Sequence, residues 1–114
     1  MVKYTKPIQV KFSALAESTR FSLLESLLEN GELPLTSLFK PYEKTMSLQG
    51  ILKHVRILEN AKLITSKKVG RERLYSPNQV SIGEFRNWLT ASRLFWNPAL
   101  DRLKTHLESE EETK

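Results

Sequence analysis

Apolar positions recur along most of the chain at the i, i+3, i+4 spacing of amphipathic helices, and in one stretch the period drops to that of strands. The stretch VKFSALAE offers Val10, Phe12 and Leu15 to a short apolar face. ESTRFSLLESLLENG reads as a helix that turns Phe21, Leu24, Leu27 and Leu28 inward. Ser18 is its expected N-cap, with Glu17 just outside, and Gly31 stands where it ends. LPLTSLFKPY predicts a shorter helix entered near Leu35 or Thr36 and stopped near Pro41, because proline cannot continue the hydrogen-bond ladder. In MSLQGILKHVRILE, Ser47 is the expected N-cap of a helix reaching about Asn60, with Leu48, Ile51, Val55 and Leu58 on its buried face.

Beyond Ala61–Leu63 the pattern becomes β-like. LITSKKV and RLYS flank GRE, a short glycine-containing turn between β-capable segments, which predicts a hairpin. Two strands alone are marginal in water, so they must lean on the helices. From Ser81 the helical period returns in SIGEFRNWLTASRLFW, with Ile82, Phe85, Trp88 or Leu89, and Leu94 to Trp96 apolar. Asn97-Pro98 interrupts that helix and starts another, asparagine as N-cap and proline at the first helical position. Leu100, Leu103 and Leu107 carry it forward to a charged tail over 109–114 that is expected to fray.

At 114 residues the chain is expected to be one domain. It has no cysteine, which removes disulfides, thiolate nucleophiles and thiolate metal ligands together and fits a reducing, cytoplasmic setting. No apolar run approaches the roughly 18 residues of a membrane span, and the polar start MVKYTKPIQV does not read as a signal peptide. Charge is the informative quantity. Within 47–73 seven basic residues (Lys53, Arg56, Lys62, Lys67, Lys68, Arg71, Arg73) face only Glu59 and Glu72, so this stretch carries the whole net charge of +5. Such concentration is the footprint of a surface that binds a polyanion, although a solvated basic face has the same composition.

Two successive helices followed by a basic hairpin predict a mainly α fold with a small β-hairpin wing, a winged helix-turn-helix. In that arrangement the 47–60 helix enters the DNA major groove and the 64–76 hairpin is the wing. Opposite the core direction set by Leu48, Ile51, Val55 and Leu58 lie Gln49, Gly50, Lys53 and Arg56. Glutamine pairs bidentately with adenine, and lysine or arginine with guanine or phosphate. Gly50 costs the helix about 0.8–1 kcal/mol relative to alanine. The missing side chain suits close docking in a groove, and equally suits a tolerated neutral position.

FSALAESTRFSLLESLLENGELPLTSL, MSLQGILKHVRILENAKLI, GRERLYS and RLFW followed by LDRL, taken in this order, resemble the ArsR-type winged-helix transcriptional repressors. The resemblance covers about residues 8 to 107. It implies a symmetric dimer formed by the first helix and the 81–108 region, which binds a palindromic operator and represses transcription until a signal releases it. The chain departs from the pattern in four places. PYEKTM is about two residues longer than the usual connection, and Leu52 stands where serine is common; both bear on base specificity. Ser18 replaces a frequent proline, and Pro98 interrupts what is often one continuous helix.

The expected DNA contacts are Ser47, Gln49, Gly50, Lys53, His54 and Arg56 on the recognition helix, with Lys67, Lys68, Arg71 and Arg73 on the wing. His54 suits either a phosphate contact or a helix-packing hydrogen bond. Strand alternation prevents all four wing cations from facing one way, and Arg71 at the tip is the safest of them. Tyr75 reads as packing. Phe12, Phe85, Trp88, Leu89, Phe95, Trp96, Leu100 and Leu103 are more large apolar groups than a small monomer hides, and they are the expected dimer interface. A metal site is not expected: Asp101 and His106 are about 140° apart around a helix, and zinc needs three or four converging ligands. Neither a cofactor nor an enzyme activity is expected, since there is no Gly-rich phosphate loop and the two histidines fall in different helices. Double-stranded DNA and a second copy of the chain are the expected partners, with no membrane and with an effector left open as a small molecule or protein. The alternatives are a winged helix that docks an acidic protein, a nonspecific or architectural DNA binder, and a structured-RNA binder.

Overall fold

The computed structural model describes residues 7–91 and Thr105. The elements run α1 (Pro7–Leu15), α2 (Ser18–Asn30), β1 (Leu33–Pro34), α3 (Leu35–Phe39), a 3-10 turn (Lys40–Tyr42), α4 (Leu48–Asn60), β2 (Ile64–Val69), β3 (Glu72–Pro77) and α5 (Gln79–Ala91). The chain divides into two units, residues 1–83 and 84–114, and α5 starts in the first. This is the expected winged helix-turn-helix: α3 and α4 with the β2–β3 hairpin behind them. No helix among the described residues is long and apolar enough to cross a membrane.

Leu23, Leu24 and Leu27 of α2, Leu38 of α3, Ile51, Val55 and Leu58 of α4, and Leu63, Ile64 and Tyr75 from the sheet side form the core of the first unit. Ile51, Val55 and Leu58 are wholly buried and fix which face of α4 looks inward. Truncating one of these leucines to alanine removes packing worth about 2–5 kcal/mol.

Several helix faces differ from the sequence reading. The stripe of α2 is Leu23, Leu24 and Leu27, while Phe21 and Leu28 are half exposed. Arg20 takes the first place of that stripe, so the apolar signal there is broken by a charged residue. Phe12 is exposed, and α1 instead buries Lys11 and Ala14, with Val10 and Leu15 packed against the core. Leu48 is exposed in the first turn of α4, and Met46, just before the helix, packs inward in its place. Glu17, and not Ser18, caps α2: its backbone is extended and its carboxylate accepts the Arg20 N–H at 2.9 Å. α5 begins two residues earlier than Ser81, because the Asn78 carboxamide accepts the Ser81 N–H at 3.2 Å and closes the first turn.

A third strand was not legible in the sequence. β1 pairs antiparallel with β3, Leu33 opposite Tyr75 and Pro34 opposite Leu74, giving the order β1-β3-β2. Its length of two residues and its proline hide it, and proline is tolerated because β1 is an edge. The end of α4 is fixed by a Schellman motif: Leu63 N–H donates to Leu58 O at 3.0 Å and Lys62 N–H to Glu59 O at 2.9 Å. Lys62 holds the left-handed position of this motif at φ 64°, where glycine is usual.

In the second unit, Phe85, Trp88 and Leu89 lie on α5. Phe95, Trp96, Leu100, Leu103, the Asn97-Pro98 interruption and the 109–114 tail lie outside the described residues.

Candidate nucleic-acid interface

The exposed face of α4 starts at its cap. Ser47 is extended at φ −78° and ψ 162°, and its hydroxyl accepts the Gly50 N–H at 3.1 Å. From there Gln49, Lys53 and Arg56 project on the side away from Ile51, Val55 and Leu58, all three exposed. None of the three makes a hydrogen bond or ion pair within the described residues. Ile57 is exposed on the same side. The face therefore offers an amide, two cations and one apolar group, a set able to meet base edges, phosphates and a thymine methyl.

Gly50 has a reason inside the protein. A Cβ added there would sit 2.9 Å from Met46 Cγ, closer than real Cβ atoms come to a neighbour. The absent side chain makes room for Met46, which enters the core just ahead of the helix. Met46 lies in a loop with no periodicity to place it, so the sequence carries no mark of this contact.

His54 lies at the edge of the same helix, turned toward the start of α2. Its Nδ1 is 3.3 Å from Arg20 Nη1 and 3.6 Å from Glu17 Oε1. Arg20 in turn donates from Nε to Ala14 O at 2.7 Å, so the cluster ties α1, α2 and α4 together. The Arg20 backbone N–H holds the Glu17 carboxyl below the usual carboxylate range, and the nearby His54 adds to the effect. His54 Nδ1 thus has Glu17 and Arg20 as neighbours on the inner side of the helix.

Pairing register sorts the wing cations. Ser66 stands opposite Tyr75, Lys68 opposite Arg73 and Ile64 opposite Pro77, and residues directly opposite share a face. Ile64, Tyr75 and Pro77 are buried, so Lys68 and Arg73 belong to the side of the sheet on which the helices pack. Lys67 belongs to the other side, where its ammonium lies 3.4 Å from Glu32 Oε2 in an exposed pair. Gly70 at φ 63° and Arg71 make the two-residue turn between Val69 and Glu72; a positive φ at the first position alone is the signature of a type II′ turn. Arg71 thus stands at the tip, exposed.

One chain of hydrogen bonds joins wing to helix. Arg73 Nη1 donates to Ser66 Oγ at 2.9 Å, and Ser66 Oγ donates to Glu59 Oε2 at 2.9 Å. Beneath them burial pushes the Tyr75 phenol up; Glu59 adds to the rise, and Arg73 and Arg56 oppose it. The charges of α4's last turns and of the wing are therefore felt at one buried ring. The register places Lys68 and Arg73 on one face of the wing and Lys67 on the other, and His54 lies within reach of Arg20 and Glu17. Glu59, Ser66, Glu17 and Arg20 were not singled out by the sequence, and the one available signal was an acid, Glu59, standing in a basic stretch. Among the described residues no three His, Cys, Asp or Glu side chains gather as metal ligands would.

No family model matches the chain. It is similar to the uncharacterized HTH-type transcriptional regulator YuzN of Bacillus subtilis (strain 168), with 40% identity over 67 residues, covering 55% of this chain and 73% of that protein. A solved ArsR family transcriptional regulator is 29% identical with a TM-score of 0.70, covering 85% of this chain and 97% of its own. An ArsR-like transcriptional regulator from Rhodococcus sp. RHA1 is 27% identical with a TM-score of 0.67, covering 87% of this chain and 91% of its own.

Proposed function

This chain belongs to the ArsR family of helix-turn-helix transcriptional regulators, and on that premise we propose that it is a cytoplasmic, dimeric repressor of a palindromic operator. It is a regulator and not an enzyme. In this reading α4 lies in the major groove. Gln49 and Lys53 meet base edges, Arg56 meets a base or phosphate, and Ser47 and Gly50 let the helix start approach the groove wall. Lys68, Arg71 and Arg73 meet phosphates or the minor groove, which gives affinity and register more than sequence choice. Lys67 contributes long-range attraction from the far face, and His54 holds α4 at its angle through Glu17 and Arg20. The dimer is held by Phe12 with Phe85, Trp88, Leu89, Phe95, Trp96, Leu100 and Leu103. A small molecule or a protein serves as the releasing signal.

The observation that carries the DNA reading is the pairing of Lys68 with Arg73. Like charges directly opposite across a hairpin destabilise it, and a polyanion on that face reverses the sign of the interaction. The test is a set of alanine variants titrated with duplexes at several salt concentrations. Arg71→Ala should weaken binding to every duplex and lower the salt slope by about one. Gln49→Ala and Lys53→Ala should cost about 1–3 kcal/mol on the preferred site and little on random DNA. Equal losses on both duplexes would remove Gln49 and Lys53 from base reading.

A further inference from the structure

The acid at the end of an otherwise basic helix needs an explanation. Glu59 lies in the last turn of α4, where a negative charge opposes the helix dipole, and it belongs to the stretch proposed to face a polyanion. Both positions disfavour a carboxylate. Glu59 accepts the Ser66 hydroxyl, and that hydroxyl accepts Arg73 Nη1, each at 2.9 Å. A serine hydroxyl has a single proton, so donating it to Glu59 leaves Ser66 Oγ as the acceptor that Arg73 requires. Replacing the carboxylate by a group that accepts nothing frees that proton and loosens the whole chain.

We infer that Ser66 is a positioning residue for DNA binding, which through Glu59 holds the Arg73 guanidinium on the wing face next to the recognition helix. An arginine side chain is rotamer-rich, and immobilising it before the phosphate arrives removes an ordering cost from binding. One guanidinium nitrogen is used by Ser66, and the others remain for a phosphate oxygen. The same two bonds fix the hairpin against the last turn of α4, so wing and recognition helix meet the duplex at a set angle. Tyr75 is the floor of the arrangement: it stands opposite Ser66 and is buried. This inference rests on the DNA reading of the preceding section and adds to it residues that touch no base.

The test is a double-mutant cycle on duplex binding with the full chain. Ser66→Ala should weaken binding by about 3–10-fold, the size of one ordered arginine. It removes no charge, so the salt slope should stay that of the wild type, and Ser66→Thr should restore affinity. In an Arg73→Ala background, where only the Ser66–Glu59 bond is left to lose, Ser66→Ala should cost clearly less than it does in the wild type. Equal losses in both backgrounds would overturn the inference, because Ser66 would then act without Arg73; unchanged binding by Ser66→Ala would do the same. Glu59 gives an independent readout. Glu59→Gln keeps an acceptor for Ser66 and removes a negative charge, and should bind at least as tightly as the wild type. Glu59→Ala breaks the relay and should bind several-fold more weakly than Glu59→Gln; equal or tighter binding would also overturn the inference. If the wild type binds no duplex, the DNA reading itself has failed, an outcome distinct from an additive cycle in a protein that binds.

Discussion

Gly50 shows how a single residue acquires two explanations. Gly50 is the third residue of α4, and alanine is worth up to about 0.8–1 kcal/mol over glycine in a helix, so Gly50→Ala ought to stabilise the fold. The Cβ would come within 2.9 Å of Met46 Cγ, and Met46 is a partly buried side chain packed on the core. Gly50→Ala alone should therefore give no gain in a denaturant melt. In a Met46→Ala background, where the obstruction is absent, it should give about 0.8–1 kcal/mol. A full gain in the wild-type background would show that Met46 moves aside at no cost, and would return Gly50 to an outward-facing role alone. His54 presents the same choice between protein and ligand. Its Nδ1 lies 3.3 Å from Arg20 Nη1, which gives the residue an inward partner on a helix otherwise read for its outward face.

At the scale of elements, α4 was legible in the sequence to within a residue at both ends, because its cap, stripe and exit each carry a local signal. Ser47 caps it, Ile51, Val55 and Leu58 face inward, and Asn60 is the last helical residue. α2 was legible in extent and misread in phase: Arg20 occupies a stripe position that an apolar residue would have marked. β1 was invisible, since two residues with a proline have no period at all. The sorting of the wing cations also required the register, because alternation fixes which residues share a face but not which face meets the helices. The relay through Ser66 left only Glu59, an acid in a basic stretch, as a signal in the sequence, since its closure depends on how the end of α4 meets β2. The exit from α4 yields a prediction of its own. Lys62 sits in the left-handed region at φ 64°, a conformation that costs an L-residue roughly 1–2 kcal/mol and glycine little. Allowing for the greater freedom of glycine in the unfolded chain, Lys62→Gly should raise stability by about 0.5–1 kcal/mol in thermal or denaturant unfolding. A loss would mean that the lysine makes compensating contacts at the helix end.

At the scale of the whole molecule, the basic stretch 47–73 folds into a helix face and a hairpin that are hydrogen-bonded to each other, with Lys68 and Arg73 on the packed side of the sheet. A palindromic operator requires two such surfaces related by a twofold axis, with half-sites about one helical turn apart. Sedimentation at micromolar concentration should accordingly give the mass of two chains, and a single-chain mass would remove the dimer from the proposal. The most direct test of the central claim is selection of random DNA duplexes by the purified protein, carried out at two salt concentrations. An enriched palindrome at both concentrations, with affinity falling steeply as salt rises, is the predicted result. Salt-sensitive binding with no enriched sequence, or no binding at either concentration, would contradict it.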